Sequence, residues 1–193
     1  IPSIEVLKEI DSKKFESLPL SCKQKEFKYF LNLFYADNWS GSFIAFYKQI
    51  KNKSLNVIRS NACNMKSFKK GGYHFTSMGG SLLLKKKIES WSHQEFNIPL
   101  VKDRIEKNII NGRDIFYRFK APKPKLISNF NNPHLDKEIF KIALKYKNLI
   151  LNKINDESKW DIFIYWLIQI YLLGLRVCKK VLFMLYEIIA KKK

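Results

Sequence analysis

Two glycine pairs, Gly71-Gly72 and Gly79-Gly80, constrain this chain more than any other feature. Glycine enters backbone conformations closed to other residues, so each pair marks a place where a regular element must break. Between them "YHFT" reads as a short strand. After the second pair, Ser81 is positioned to cap a helix running to about Trp91. On the strand, His74 projects on the same face as Gly72. Where the helix ends, "SHQE" brings His93 and Glu95 together, so two of the three histidines sit in these neighbouring segments.

The rest of the chain is read around this centre. "PSIEVLKEI" has start signals at Pro2 and Ser3 and apolar residues at helical spacing. "EFKYFLNLFY" (26–35) is aromatic-rich on both faces and is predicted to be one strand buried on both sides. "WSGSFIAFYK" (39–48) is ambiguous. A helix is predicted over 99–111, with Pro99 in its first turn and Gly112 as its stop. "DIFYRF" (114–119) follows as a strand, "APKPKLISNFNN" as a loop, and Asn132-Pro133 opens a helix to about Tyr146. This order indicates an α/β or α+β domain over 1–150, followed by a distinct C-terminal element over 151–193.

That last element contains a 14-residue uncharged, apolar-rich run, 162–175, shorter than the ~20 residues of a spanning helix. Asp161, Tyr165, Gln169, Arg176, Lys180, Glu187 and Lys191 fall in one arc of a helical wheel, leaving a wide apolar face. Three readings compete. A spanning helix would bury Arg176, Lys179 and Lys180 near mid-membrane, which is costly. A core or oligomer helix is the second. A helix lying on a membrane surface accounts for the stripe, the basic residues and the Lys191–Lys193 tail together.

Charge narrows the class of partner. The formal net charge is +19, and no acidic residue lies between Asp37 and Glu89. A one-sign surface concentrates anions, whether nucleotide phosphates, nucleic acid or acidic lipid, although a Lys/Asn/Ile-rich composition produces similar surfaces without function. Three scattered cysteines, with no Cys-x-x-Cys pair, argue against a disulfide framework or a structural zinc and fit a reducing compartment. The chain opens with Ile-Pro and is expected to be part of a longer protein.

Local chemistry leaves His74, His93 and Glu95 between two roles. They are a proton acceptor with its partners, or a strand hydrogen-bonding group and a helix end favoured by the dipole. Trp91 either stacks on a sugar or belongs to the core. No complete zinc motif, Walker loop or nucleophile elbow occurs.

In order and spacing, however, "GGYHFTSMGG", "SWSHQEFN" and "NGRDIF" resemble glycosyltransferase family 17. That family has a Gly-Gly-Trp-His-Phe-Ser-like turn followed by a Ser-Phe-Ser-His-x-Glu-like segment. "NWSGSFIAFYKQ" is similar to its Asn-Trp-x-Gly stretch, and "IPSIEVLKEI" to the residues after its Asp-x-Asp-Glu-Ile-Pro motif. Tyr73 and Trp91 stand where the family has Trp and Phe. The resemblance covers about 1–150 and implies the C-terminal part of a GT-A-like, inverting transferase. It would move N-acetylglucosamine from a UDP-sugar to a glycan on a glycoprotein, lipid or surface polysaccharide.

It implies roles as well. Glu95 would be the catalytic base and His93 its partner. Asp103 and Asp114 are reserve carboxylates. Gly71, Gly72, Tyr73, His74, Lys69, Lys70 and Trp91 would contact substrate. A divalent Mn or Mg ion is expected, but its Asp-x-Asp carboxylates would precede Ile1; His74 is a candidate to complete its shell. The expected setting is the cytoplasmic side of a membrane in a bacterial or viral-type system, or the Golgi membrane in a eukaryote. The alternatives are a non-enzymatic basic module binding nucleic acid or anionic membrane, and an inert remnant. The absence of a recognised nucleic-acid motif argues against a nucleic-acid partner.

Overall fold

The computed structural model describes residues 2–12, 19–128 and 133–190. In chain order they form α1 (Ile4–Ser12), β1 (Leu20–Lys28), β2 (Leu33–Ile44), α2 (Tyr47–Ile50), α3 (Leu55–Ser60), β3 (Ser67–Phe68) and β4 (Tyr73–Thr76). There follow α4 (Gly80–Ser90), α5 (Pro99–Lys102), α6 (Ile105–Ile110), β5 (Lys125–Leu126), α7 (Lys137–Leu144) and α8 (Lys159–Ala190). The architecture is mixed α/β. The chain makes two compact units, residues up to 78 with 124–152, and 79–123 with 153 onward.

The first unit is a mixed five-stranded sheet. β1 pairs antiparallel with β2, and β2 antiparallel with β5. Along its other edge β1 pairs in parallel with both β3 and β4. From Cys22↔Phe68 to Lys25↔Tyr73, β1 advances three residues while its neighbour advances five. The two extra residues form a bulge at 69–72. Gly71 N–H donates to Lys23 O (2.8 Å) and Gly72 O accepts from Lys25 N–H (2.9 Å). β2 gains one extra residue on β1 at each of three places, which sharpens the twist of the pair. The core gathers Phe27, Phe34, Tyr73, Ile127, Leu135 and Phe140, with Phe75, Met78 and Ile139 packed against it. Phe27 and Phe34 meet edge-on at 5.6 Å, a preferred aromatic geometry.

The stretch expected to be one strand over 26–35 is a hairpin. β1 ends at Lys28, Tyr29 takes a φ of 66°, and β2 begins at Leu33. No glycine or proline announces this turn. It is held by buried Asn32, whose amide donates to Ile127 O (3.2 Å) and Leu151 O (2.9 Å) and accepts from Leu151 N–H (2.9 Å).

In the second unit, buried side chains come from α4 (Leu84, Ile88), α5 and α6 (Val101, Ile105, Ile109), the segment at 115–117, and α8 (Tyr165, Ile168, Leu172). "DIFYRF" is not a strand. Tyr117 N–H turns back to Asp114 O (3.0 Å), and Tyr117 sits at φ 52°. The buried Asp114 carboxylate takes both the Arg118 N–H (3.0 Å) and its guanidinium (2.8 and 2.7 Å). Such local side-chain bonds compete with strand pairing.

The helix expected over 99–111 is broken at Asp103-Arg104. Arg104 there turns its guanidinium to Asp161 (3.4 Å). Gly79, at φ 96°, caps α4 in place of Ser81, whose Oγ lies 3.5 Å from Glu106. α7 starts at Lys137, after Asp136. Asn132 lies outside the described residues.

Gly71 has no space for a side chain. A Cβ there would lie 2.7 Å from Lys23 N and O and from Cys22 C. These are backbone atoms of a central strand and cannot swing away. Gly71→Ala is therefore expected to cost about 2–4 kcal/mol, read from the urea midpoint of the full chain. Gly80→Ala meets no neighbouring atom, and only its φ of 78° resists, so its cost is about 1 kcal/mol.

Candidate functional site

The bulge at 69–72 forms one wall of a cavity of about 330 Å³ in the first unit. Lys23 and Lys25, alternating along β1, stand on one side, and Lys69 and Lys70 come from the bulge. Ser3 ties the bulge down, its N–H reaching Gly71 O (3.3 Å) and its Oγ reaching Lys70 O (2.7 Å). The Gln24 side-chain amide donates a further hydrogen bond to Gly71 O (3.3 Å). The Lys23 ammonium is fixed on Ser40 Oγ (2.7 Å) and that of Lys25 on Pro133 O (2.6 Å). Lys69 and Lys70 are exposed. Their ammonium groups have no hydrogen-bond or ion-pair partner among the described residues. Against these four cations stand Glu5 and Asp136, so the lining favours an anion.

Lys69, Lys70, Gly72 and Tyr73, all singled out in the sequence, thus line one cavity. Lys23 and Lys25 were missed because they lie outside the acid-free interval. Their alternation along a strand was the available signal. Tyr73 is mainly a core residue. Its hydroxyl accepts the Asp136 N–H (3.2 Å), and burial, with Asp136 beside it, pushes its phenol well above the ordinary tyrosine value.

His74 stacks face to face on Trp39, with centroids 3.5 Å apart and planes 4° from parallel. Two stretches matched separately in the sequence, "NWSG" and "GGYHFT", therefore meet in one structure. Trp39 also folds over Gly41, where a Cβ would lie 2.1 Å from the indole. Next to it, Asn56, Arg59, Ser60 and Cys63 line a shallow hollow of about 400 Å³.

In the second unit, His93 Nδ1 lies 3.1 Å from Glu95 Oε1. Burial resists ionisation of Glu95. The N–H of its own backbone, the His93 imidazole and the Lys179 ammonium outweigh that and hold the carboxyl below the ordinary glutamate value. Glu95 is thus an ionised acceptor at neutral pH and a weaker base than a free glutamate. Trp91 packs on Phe116 (4.8 Å) and His93 (4.4 Å) within an aromatic cluster that includes Phe96. Asp103 is exposed at the end of α5, while both Asp114 oxygens are committed to Arg118.

Among the described residues no group of three or more His, Cys, Asp or Glu could hold a metal ion. His74, paired in register with Glu26 and stacked on Trp39, is not part of such a group. The described residues therefore do not make a site for Mn or Mg.

No protein-family profile, curated protein or solved structure matches this chain.

Removing the imidazole should release Glu95 upward. In His93→Ala, the Glu95 titration followed by carboxyl carbon NMR is expected to move to higher pH. The sign follows from the depressed value. The pair stabilises the fold above the ordinary glutamate pKa and loses that contribution as the pH falls through the lowered one. An unchanged titration would remove His93 from the pair.

Proposed function

We propose that this chain is part of a nucleotide-sugar-dependent glycosyltransferase working at a membrane surface. The cavity of four lysines carries the reading. It lies against the glycine bulge and has the charge that a diphosphate calls for. A nucleotide-sugar donor releases a diphosphate, on which negative charge builds as the sugar departs. Lys69 and Lys70, whose ammonium groups have no partner among the described residues, would stabilise that charge. Fixed ammonium groups on Lys23 and Lys25 would align it.

In particular, the reading is of a family 17 enzyme with a GT-A-like fold, transferring N-acetylglucosamine from a UDP-sugar with inversion. The acceptor hydroxyl would attack the anomeric carbon as the bond to the diphosphate breaks. The electron pair leaves with UDP, and the hydroxyl proton goes to a carboxylate. Glu95, ionised and hydrogen-bonded to His93, is the carboxylate that the family resemblance implies for that role; it belongs to the second unit, and the lysine cavity to the first. The metal expected of the family has no ligand set among the described residues, and no step here runs through it. The long apolar helix α8 is compatible with membrane association. The setting we infer is the cytoplasmic face of a membrane, or the Golgi membrane in a eukaryote.

Calorimetric titration of the full chain with UDP-N-acetylglucosamine, UDP and inorganic pyrophosphate tests the reading. UDP and pyrophosphate should both bind, more weakly as salt is raised. The pair Lys69→Glu/Lys70→Glu should weaken both by at least about tenfold, one ordinary charge contact or more. Absence of UDP binding, or tighter binding of a random oligonucleotide with a steep salt slope, overturns the transferase in favour of a basic nucleic-acid module.

A further inference from the structure

α8 faces its own unit with its polar stripe. Asp161 pairs with Arg104 and Lys107, the Tyr165 hydroxyl donates to Asp114 O (2.8 Å), and Arg176 reaches Phe116 O (3.4 Å). The same helix face carries buried Tyr165, Ile168 and Leu172. Steps of four, three and four from Leu172 lead to Arg176, Lys179 and Phe183. There the body of the unit ends, and every residue from Val177 to Glu187 is exposed.

Beneath this stretch lies a cavity of about 550 Å³. Its walls combine two chemistries. Leu175, Phe183 and Met184 supply apolar surface, and Arg176, Lys179 and Lys180 supply cations. The one acid there is Glu95, already paired with His93 at 3.1 Å. The Arg176 guanidinium lies over the Phe96 ring, 5.3 Å from its centroid, and its buried Nε has no hydrogen-bond partner. The outward side of α8 is apolar along its length, with Trp160, Phe163, Trp166, Leu167, Tyr171 and Leu182 all exposed. A soluble surface rarely leaves so large an apolar area uncovered.

A second copy would meet the apolar surface but not the cations. A chain with a net charge of +19 would bring like charges together across a two-fold contact. An anionic bilayer meets both, with hydrocarbon for the apolar side, phosphate for the cations, and head-group level for the tryptophans and tyrosines. We propose that the cavity under the C-terminal half of α8 binds the phosphate headgroup of an anionic phospholipid. α8 then lies in the plane of the membrane, with an acyl chain along Leu175, Phe183 and Met184. This is independent of the lysine cavity on β1, but not of the role given to Glu95, which lines the same hollow.

Flotation of the full chain decides it, using vesicles of phosphatidylcholine alone and of phosphatidylcholine mixed equally with phosphatidylglycerol. The mixed vesicles should bind far more tightly. Lys179→Glu/Lys180→Glu should lower that affinity about thirtyfold or more, on the scale of two surface cations, with the helical circular dichroism unchanged. Lys85→Glu/Lys86→Glu on α4, an equal change of charge elsewhere, should retain most of the binding. Free glycerol phosphate should not compete. Four results overturn the proposal: equal binding to both vesicles, equal loss in the α4 variant, displacement by free glycerol phosphate, or a lipid-free dimer that does not float.

Discussion

The contact between Gly71 and the backbone of β1 is the constraint from which the candidate anion site follows. β3 and β4 pair along the edge of β1 opposite β2, and between them the two backbones approach too closely for a Cβ. Gly71 meets Cys22 and Lys23 main-chain atoms at distances no side chain could occupy. This pinch pins one point of the strand and forces the two surplus residues outward. The lysines of the bulge are thereby held beside those of β1 on a rigid sheet rather than on a free loop. A phosphate contact needs such preorganisation, because immobilising four flexible lysines on binding would cost much of the attraction.

α8 inverts the usual logic of a surface helix. An amphipathic helix on a soluble domain turns its apolar side to the core and its charges to water. Here ion pairs and a tyrosine hydroxyl dock the polar stripe on the second unit, with only Tyr165, Ile168 and Leu172 adding apolar burial. Asp161, between Lys107, Ser158 and Arg104, has its carboxyl pulled down to about 2, so this anchor stays charged through any physiological pH. The polar groups orient the helix, and the apolar surface is left for the surroundings.

What could be read from the sequence follows the strength of local signals. The two glycine pairs announced a break in the chain and the short strand β4, and the wheel of 158–193 announced a long helix with one polar arc. The hairpin between β1 and β2 was missed because Lys28–Leu33 has aromatic residues where a turn ordinarily shows glycine or proline. Its determinant is Asn32, whose partners are Ile127 and Leu151, far along the chain. "DIFYRF" is rich in aromatic and β-branched residues like a strand, but the Asp114–Arg118 bond closes it into a turn that no period reveals. At the site, Lys69 and Lys70 stood out in a run without acids. Lys23 and Lys25 joined them only through the parallel pairing of β1 with β3 and β4, a long-range fact.

Asn32 also sets an order of events. The first unit is discontinuous, and the residues that close it arrive only with Leu151. During synthesis the β1–β2 hairpin must wait, its turn amide without its native partners, while residues 79–123 emerge. The second unit in turn lacks α8 until later still. Neither unit can be finished before the other has begun. A nascent chain of this kind exposes its aromatic strands until the residues near Leu151 emerge.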